Sequence, residues 1–295
     1  MATKNSRSAA RLMMAPAVIL YLVLSLGPSI ATAFFSATDA TGLPGLPVNY
    51  VGLDNYREFL TLGARAQENL DAIFRTLIFM AAVTTIQFTL GLFVSLRLYM
   101  GLKGTRFFRT LCCLPVCLGG PFPGLMWTRG RYPLGGPLQS FLELFGIQSL
   151  FLGGQPMEAF AWVIVVQIWS NLGFTMVIFL AGLQTIPEEV YESARIDGAS
   201  RWDAFMIVTW PLLTPAVNTN LVLTIIGSLQ ACQLFLVLIG YRPGTQVMGY
   251  VVYAEAFGQT TGSTTVNSFR QGYGAAAAII LFLIVLVIGI TTQFI

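Results

Sequence analysis

Residues 76–96 read TLIFMAAVTTIQFTLGLFVSL and lie between Arg75 and Arg97 without a single charged side chain. A helix needs about 20 such residues to cross the hydrocarbon core of a bilayer. Five further runs of the chain are also free of charge, and charged residues make up only 10% of the whole. In an average soluble domain, charged residues make up about 25% of the chain. The pattern predicts an all-α membrane protein. It excludes a soluble globular fold and a β-barrel, whose strands are shorter and alternate with a period of two.

The charge-free runs predict six transmembrane helices within a single domain, 1–295. We interpret the first run as a retained membrane helix and not as a removed signal peptide, because it is longer than a signal core and further spans follow it. Lys and Arg are densest in the N-terminal tail and after the second span, so the positive-inside rule predicts a cytoplasmic N-terminus. The predicted spans are 12–37, 74–97, 107–127, 159–182, 205–240 and 272–294.

Two of these spans contain helix-breaking residues. Residues 119–124 of the third span read Gly-Gly-Pro-Phe-Pro-Gly. At membrane depth, such a break survives only where protein or a water-filled cavity satisfies the freed backbone groups. We expect a kinked helix packed against its neighbours, with direct lining of a water-filled path as the alternative. In the fifth span, Pro211 and Pro215 predict a bend between Trp210 and Pro215, where a cytoplasmic segment enters the membrane.

Ionisable side chains are missing from the predicted membrane interior. The spans hold no Asp, Glu, Lys or His away from their ends, which counts against a proton-coupled carrier. The chain has no His at all, which removes the usual general base of an intramembrane serine protease. We interpret the four cysteines, Cys112, Cys113, Cys117 and Cys232, as buried free thiols and predict no metal site. The net charge of +3 is too small to indicate binding of nucleic acid.

Neutral amides are concentrated in the fourth and fifth spans. Amides donate and accept hydrogen bonds without charge, and beside Trp169 and Phe174 they suit a neutral, hydroxyl-rich solute. Hydrogen bonding between helices is the competing interpretation. Gln230 and Gln233 are three residues apart and are expected to share a helix face, while Gly173 would let a solute approach the backbone. The predicted substrate-binding residues are Gln167, Asn171, Gly173, Gln230 and Gln233.

The loop between the fourth and fifth spans, 183–211, mixes charges of both signs with aromatic residues. Pro187 followed by Glu188 and Glu189 predicts the start of a helix, because negative charge is favourable at the N-terminal end of the helix dipole. Asp197-Gly198 predicts a turn, and a second helix is expected after it. We expect a cytoplasmic helix–turn–helix that offers a docking surface, with a plain connecting loop as the alternative.

The same loop carries a spaced motif. Glu192-Ser193-Ala194 is followed after three residues by Gly198 and, after nine more, by Val-Thr-Trp-Pro at 208–211. This spacing resembles the Glu-Ala-Ala signature of the permease subunits of ATP-binding-cassette (ABC) importers, and 191–199 resembles their carbohydrate-uptake branch. The resemblance implies an ATPase-coupling role for Glu192, Ser193, Ala194, Asp197, Gly198 and Pro211.

The resemblance also implies partners and a function. A second permease subunit would complete the pathway, a dimer of cytoplasmic ATPase subunits would bind ATP and Mg, and an extracytoplasmic solute-binding protein would deliver the solute. The resemblance implies a location in the lipid bilayer of the cytoplasmic (inner) membrane of a bacterium or archaeon. This chain lacks a Gly-x4-Gly-Lys-Ser/Thr loop, so we expect no cofactor in it and no enzymatic activity of its own. The expected solute is a neutral sugar, an oligosaccharide or a glycosylated polyol. A permease for glycerol phosphate and a self-sufficient secondary carrier are the alternatives.

Overall fold

The computed structural model describes residues 4–62, 65–101, 104–130, 144, 155–261, 264–266 and 269–293. The chain divides into two compact units, Met1–Gln67 with Val252–Ile280 and Glu68–Val251 with Leu281–Ile295. The assignment of one domain over 1–295 stays a prediction.

Helices make up most of the described chain. The elements in chain order are α1 (Lys4–Tyr21, π-helical Leu22–Leu26 and Gly27–Phe35), α2 (Asp54–Arg57 and π-helical Glu58–Leu62), α3 (Ala66–Tyr99), α4 (Thr105–Leu118), α5 (Phe122–Gly130), α6 (Pro156–Gln184), α7 (Glu188–Ile196), α8 (Arg201–Asp203, π-helical Ala204–Thr209 and Trp210–Leu229), α9 (Gln233–Leu238), α10 (Met248–Phe257), β1 (Gln259–Thr261), β2 (Thr264–Val266) and α11 (Gln271–Gln293). The two strands pair in antiparallel register and form a small hairpin that the all-α prediction does not include.

Five stretches of the described chain are long and apolar enough to cross a membrane, and α4 with α5 makes a sixth if this bent pair counts as one span. The five are Leu12–Phe35, Ala66–Tyr99, Pro156–Gln184, Arg201–Leu229 and Gln271–Thr292. The prediction of an all-α membrane protein is confirmed in its class, and the predicted six spans are reached when the bent pair counts as one. The predicted and observed bounds differ most at the end of the fifth span, and the second span begins at Ala66 and not at 74.

The predicted break in the third span is present and sharp. α4 ends at Leu118, α5 begins at Phe122, and the two helices differ in direction by 102°. Gly119 and Gly120 connect them with φ angles of 62° and 42°. This left-handed region is open to glycine and strained for other residues, so the glycine pair permits the change of direction.

The bounds predicted for the fifth span, 205–240, are wrong, and the helix is interrupted near the end of this range and not near its start. α8 ends at Leu229, and a separate helix, α9, begins at Gln233 after a break at residues 230–232. The expected bend between Trp210 and Pro215 stays a prediction, since α8 is helical through both prolines and is π-helical just before them, at Ala204–Thr209. The π-helical stretch Ala204–Thr209 ends directly before Trp210 and Pro211.

In the first unit, polar contacts tie α2 to the chain on either side of it. The amide of Asn55 donates to the carbonyls of Ser36 (2.9 Å) and Thr38 (2.8 Å). Glu58 accepts from the Arg270 guanidinium at 2.8 Å, and this hydrogen bond raises the pKa of Arg270. These contacts tie α2 to the residues after α1 on one side and to Arg270, just before α11, on the other.

In the second unit, α3, α6 and α8 pack around one group of buried apolar side chains. Phe179 and Leu183 come from α6, and Val208, Leu213 and Val217 come from α8. Together these five residues are called the apolar core below. Phe88 of α3 packs edge-on against Phe179 with ring centroids 5.0 Å apart. The apolar core therefore holds the C-terminal half of α6 to the N-terminal half of α8.

Candidate solute cavity and coupling segment

A cavity of about 410 Å³ lies in the second unit, where two helix breaks meet. One break is the Gly119–Gly120 bend between α4 and α5, and the other is the interruption at residues 230–232 between α8 and α9. The lining residues are Pro115, Val116, Gly119, Gly120, Pro123, Gln167, Ser170, Asn171, Gly227, Gln230, Ala231, Cys232, Gln233 and Leu234. Irregular backbone at membrane depth is tolerated where it lines such a cavity, which accounts for both breaks.

The short helices beyond the two breaks pack directly on each other. An added Cβ on Gly124 of α5 would lie 3.0 Å from Cγ1 of Val237 on α9. The hydroxyl of Thr128 donates to the carbonyl of Val237 over 3.3 Å. At the bend itself, a Cβ on Gly120 would lie 3.4 Å from Oε1 of Gln233. This packing of α5 on α9 keeps the two helix breaks next to each other.

The structure brings four of the five predicted substrate-binding residues to this cavity: Gln167, Asn171, Gln230 and Gln233. Gln167 and Asn171 are one turn apart on α6, and the Asn171 amide donates to the Gln167 carbonyl at 3.0 Å. Gln230 and Gln233 do not share a helix face as expected. Gln230 caps the C-terminus of α8 and Gln233 begins α9, so they enter the cavity from the two sides of a break.

Gly173, the fifth predicted residue, lies elsewhere. An added Cβ would come 2.8 Å from the Cys112 carbonyl carbon and 2.9 Å from Cα of Cys113. Both atoms belong to the backbone of α4. The structure therefore places Gly173 at the contact between α4 and α6, where it permits close packing and does not admit a solute.

The first helix break also forms part of the cavity wall. Pro115, Val116, Gly119 and Gly120 contribute to the wall, whereas a kink packed against neighbouring helices was the favoured expectation for the glycine pair and lining of a path the alternative. The Gly-Gly-Pro pattern was the available signal, because it predicts irregular backbone at membrane depth. The described lining contains amides, a hydroxyl, a thiol and apolar groups but no charged side chain.

The segment 183–211 contains two short helical pieces separated by a turn. α7 follows the extended residue Pro187 and carries Glu188 and Glu189 in its first turn. It ends in a Schellman motif, in which the N–H of Gly198 donates to the Arg195 carbonyl (3.1 Å) and the N–H of Ala199 to the Ala194 carbonyl (2.9 Å). Gly198 has φ of 79°, a conformation that favours glycine.

The start of α8 is fixed by a capping box. The hydroxyl of Ser200 accepts from the N–H of Asp203 at 3.2 Å, and the Asp203 carboxylate accepts from the N–H of Ser200 at 3.0 Å. Behind this start, the hydroxyls of Tyr191 and Thr209 lie 3.1 Å apart and join α7 to α8. The two helical pieces therefore form one firmly connected unit.

Most of the predicted coupling residues lie on the surface of this segment. Ala194 is half-buried and packs against the apolar core. Ile196 and Trp202 are large apolar residues with 86% and 64% of their surface exposed. Glu192, Ser193, Asp197, Gly198 and Pro211 are exposed. The ATPase-coupling role of all six residues stays a prediction, as does a cytoplasmic position for the segment.

Comparison with known proteins identifies relatives over nearly the whole chain. The profile of the family described as "Binding-protein-dependent transport system inner membrane component" matches residues 71–295. A probable ABC transporter permease protein of Pyrococcus horikoshii is 31% identical over 94% of this chain and 91% of its own length. The trehalose/maltose transport system permease protein MalF of Thermococcus litoralis is 30% identical over 93% of this chain and 89% of its own length.

The fold is also that of a solved transporter chain. A chain of a bacterial alginate ABC transporter, crystallised with a periplasmic protein that holds an alginate pentasaccharide, superposes with a TM-score of 0.79. The match covers 96% of this chain and 92% of that chain at 21% identity. The family match, the relatives and the shared fold all agree with the motif at residues 192–211, and the chain belongs to the binding-protein-dependent permeases of ABC transporters, which are inner membrane components.

Proposed function

We propose that this chain is the permease subunit of an ATP-driven importer for a neutral sugar, an oligosaccharide or a glycosylated polyol. In this proposal the cavity at the two helix breaks is its half of the solute path. The observation that carries the proposal is the lining of the cavity: four amides and no charged side chain among the described residues. Relatives of similar length include the trehalose/maltose permease and a multiple sugar-binding transport system permease of Streptococcus mutans.

The chemistry of the lining supports a neutral polyhydroxylated solute. Each amide offers a donor and an acceptor, and each sugar hydroxyl needs both. Glycerol phosphate is disfavoured, because binding of a phosphate calls for Arg or Lys. A self-sufficient secondary carrier is disfavoured by the exposed, mixed-charge segment 183–211, for which such a carrier has no use.

In the same proposal, the segment 183–211 is the surface that binds the ATPase subunits. A dimer of cytoplasmic ATPase subunits, which bind ATP and Mg, contacts the exposed face that carries Glu192 and Gly198, together with exposed Ile196. A second permease subunit completes the pathway and an extracytoplasmic solute-binding protein delivers the solute. The N-terminus is then cytoplasmic. Motion of α7 reaches the membrane helices through Tyr191, which contacts α8, and through the apolar core.

The test is uptake by the assembled transporter in vesicles, using trehalose, maltose, xylose and arabinose as probes. Asn171→Ala and Gln230→Ala each remove one amide from the cavity and should raise the apparent KM about two- to tenfold, the loss expected for one hydrogen bond. Asn218→Ala is the matched control, because Asn218 belongs to α8 and does not line the cavity. Normal kinetics in both cavity variants, or equal effects in the control, would contradict the assignment of the cavity.

A further inference from the structure

The chain between α1 and α2 forms an exposed loop of apolar residues in the first unit. The sequence has no charged side chain between Asp39 and Asp54. Residues 42–50 are all exposed. The large apolar residues among them expose 46–77% of their surface and are Leu43, Leu46, Val48 and Tyr50. Residues 40–50 are called the apolar loop below.

Hydrogen bonds close the base of the apolar loop. The Asn49 side-chain amide donates to Oδ2 of Asp39 at 2.9 Å, and the N–H of Asn49 donates to Oδ1 at 2.6 Å. These bonds lower the pKa of Asp39, so this carboxylate stays charged. Thr38 and Tyr50 form an antiparallel bridge beside the pair. At the tip, Pro44-Gly45 is typical of a type II turn, and Gly45 has φ of 88°. A defined backbone therefore exposes the apolar side chains.

The base of the apolar loop lies where two membrane spans end. α1 ends at Phe35, a few residues before the loop. Gly272 is the second residue of α11, and its N–H donates to the Ala40 carbonyl at 2.8 Å. The charged residues Asp39 and Arg270 flank the two spans at these ends. A charge is costly in hydrocarbon, so both residues mark the edge of the membrane. The apolar loop therefore starts and ends at the membrane surface.

The composition of the apolar loop fits lipid better than a protein partner. Single apolar residues are ordinary on a protein surface, but a group of them indicates an interaction site. Transient protein interfaces are about as polar as the rest of the surface and have polar rims. Residues 42–48 read Gly-Leu-Pro-Gly-Leu-Pro-Val and offer no side chain that can form a hydrogen bond. Tyr50 follows, and tyrosine is enriched where membrane meets water.

We propose that the apolar loop inserts into the lipid of the leaflet in which α1 ends and anchors the connection between α1 and α2 to the membrane surface. Insertion removes the side chains of Leu43, Leu46 and Val48 from water, which is favourable in proportion to the apolar area buried. The Tyr50 hydroxyl remains among the headgroups, and the Asp39 carboxylate stays on the water side of the base. The proposal is independent of the solute that the chain carries.

The test uses the full chain in phosphatidylcholine nanodiscs, with Tyr50→Trp as a fluorescent reporter that also suits the membrane interface. The reporter emission is the difference between this variant and the wild-type protein, which has five tryptophans. Phospholipids brominated in the upper part of their acyl chains should quench it strongly, and the water-soluble quencher acrylamide only weakly. Arg57→Trp is the matched control, because Arg57 is exposed on α2 of the same unit and its charge favours water. The control should show the opposite pattern.

Leu46→Asp, combined with Tyr50→Trp, tests whether the tip of the apolar loop causes the insertion. A carboxylate is excluded from lipid, so quenching by brominated lipid should fall to the level of Arg57→Trp and quenching by acrylamide should rise. Leu46→Met keeps an apolar side chain and should leave both unchanged. The thermal unfolding midpoint in detergent should be the same with Asp or Met at this position, because exposed substitutions change stability little.

Equal quenching by brominated lipid in Tyr50→Trp and Arg57→Trp would overturn the anchor. Strong quenching of the Tyr50→Trp reporter by acrylamide would also overturn it, and would leave the apolar loop in water as a surface for a protein partner. Unchanged lipid quenching after Leu46→Asp would show that the loop does not cause the insertion. If Leu46→Asp lowers the unfolding midpoint, the comparison of Tyr50→Trp with Arg57→Trp decides by itself.

Discussion

Gly173→Ala tests the contact between α4 and α6 directly. The new methyl group would lie 2.8 and 2.9 Å from backbone carbons of Cys112 and Cys113, well inside normal contact distance. Backbone atoms cannot rotate away as the end of a side chain can, so α4 has to shift as a whole. The penalty should lie near the top of the range for overpacking, about 3 kcal/mol. The better helix propensity of alanine returns about 1 kcal/mol. We therefore expect a net loss of about 2 kcal/mol.

The assay is thermal unfolding of the purified protein in detergent, followed by circular dichroism. A loss of about 2 kcal/mol should lower the midpoint by roughly 4–8 °C. Gly289→Ala is the matched control, because Gly289 lies within α11 and an added Cβ there meets nothing within 4 Å. That variant should be as stable as the wild-type protein or slightly more so. Equal midpoints for the two variants, with altered sugar affinity only in Gly173→Ala, would refute the packing role and return Gly173 to the solute path.

Two further positions give predictions of the same kind. Gly198→Val should cost about 1–2 kcal/mol through the φ of 79° alone, because an added Cβ meets nothing within 4 Å. Solute-stimulated ATP hydrolysis should fall in this variant and persist in Gly198→Asn, and equal activity in both would contradict a role for the turn. Gly272→Ala should push α11 away from the chain before α2, because its Cβ would lie 2.9 Å from the Thr38 carbonyl carbon and 3.2 Å from the Ala40 nitrogen. Limited proteolysis between residues 36 and 53 should be faster than in the wild-type protein. Cleavage at the wild-type rate would show that the contact of Gly272 with residues 38–40 accommodates a methyl group without displacing α11.

Several elements of the fold could be predicted from local sequence because their causes are local. A charge in hydrocarbon is costly, so the runs between charged residues predict where the chain crosses the membrane. The predicted span 159–182 lies within the observed helix Pro156–Gln184 for this reason. Pro187 and Gly198 likewise indicate where α7 begins and where the turn after it lies, because each acts through its own backbone.

The division of the fifth span shows where local reasoning ends. Residues 205–240 contain no charge, and hydropathy does not distinguish one long helix from two. The interruption at residues 230–232 is set by neighbours distant in sequence. A Cβ on Gly249 would lie 2.8 Å from the Ala231 carbonyl oxygen, and α5 packs against α9 beyond the break.

The class of the protein, the approximate spans and the local shape of segment 183–211 follow from local sequence, because charge, apolar length and capping residues act over a few neighbouring positions. The role of each polar or small residue depends instead on packing between segments that are distant in sequence. Asn171 lines the cavity, Thr175 one turn later is buried and accepts from the Gln87 amide of α3, and Gly173 between them permits contact with α4. These three residues share one helix and one hydropathy pattern. Their roles differ because successive residues point in different directions around a helix, and only packing determines which neighbour each direction meets.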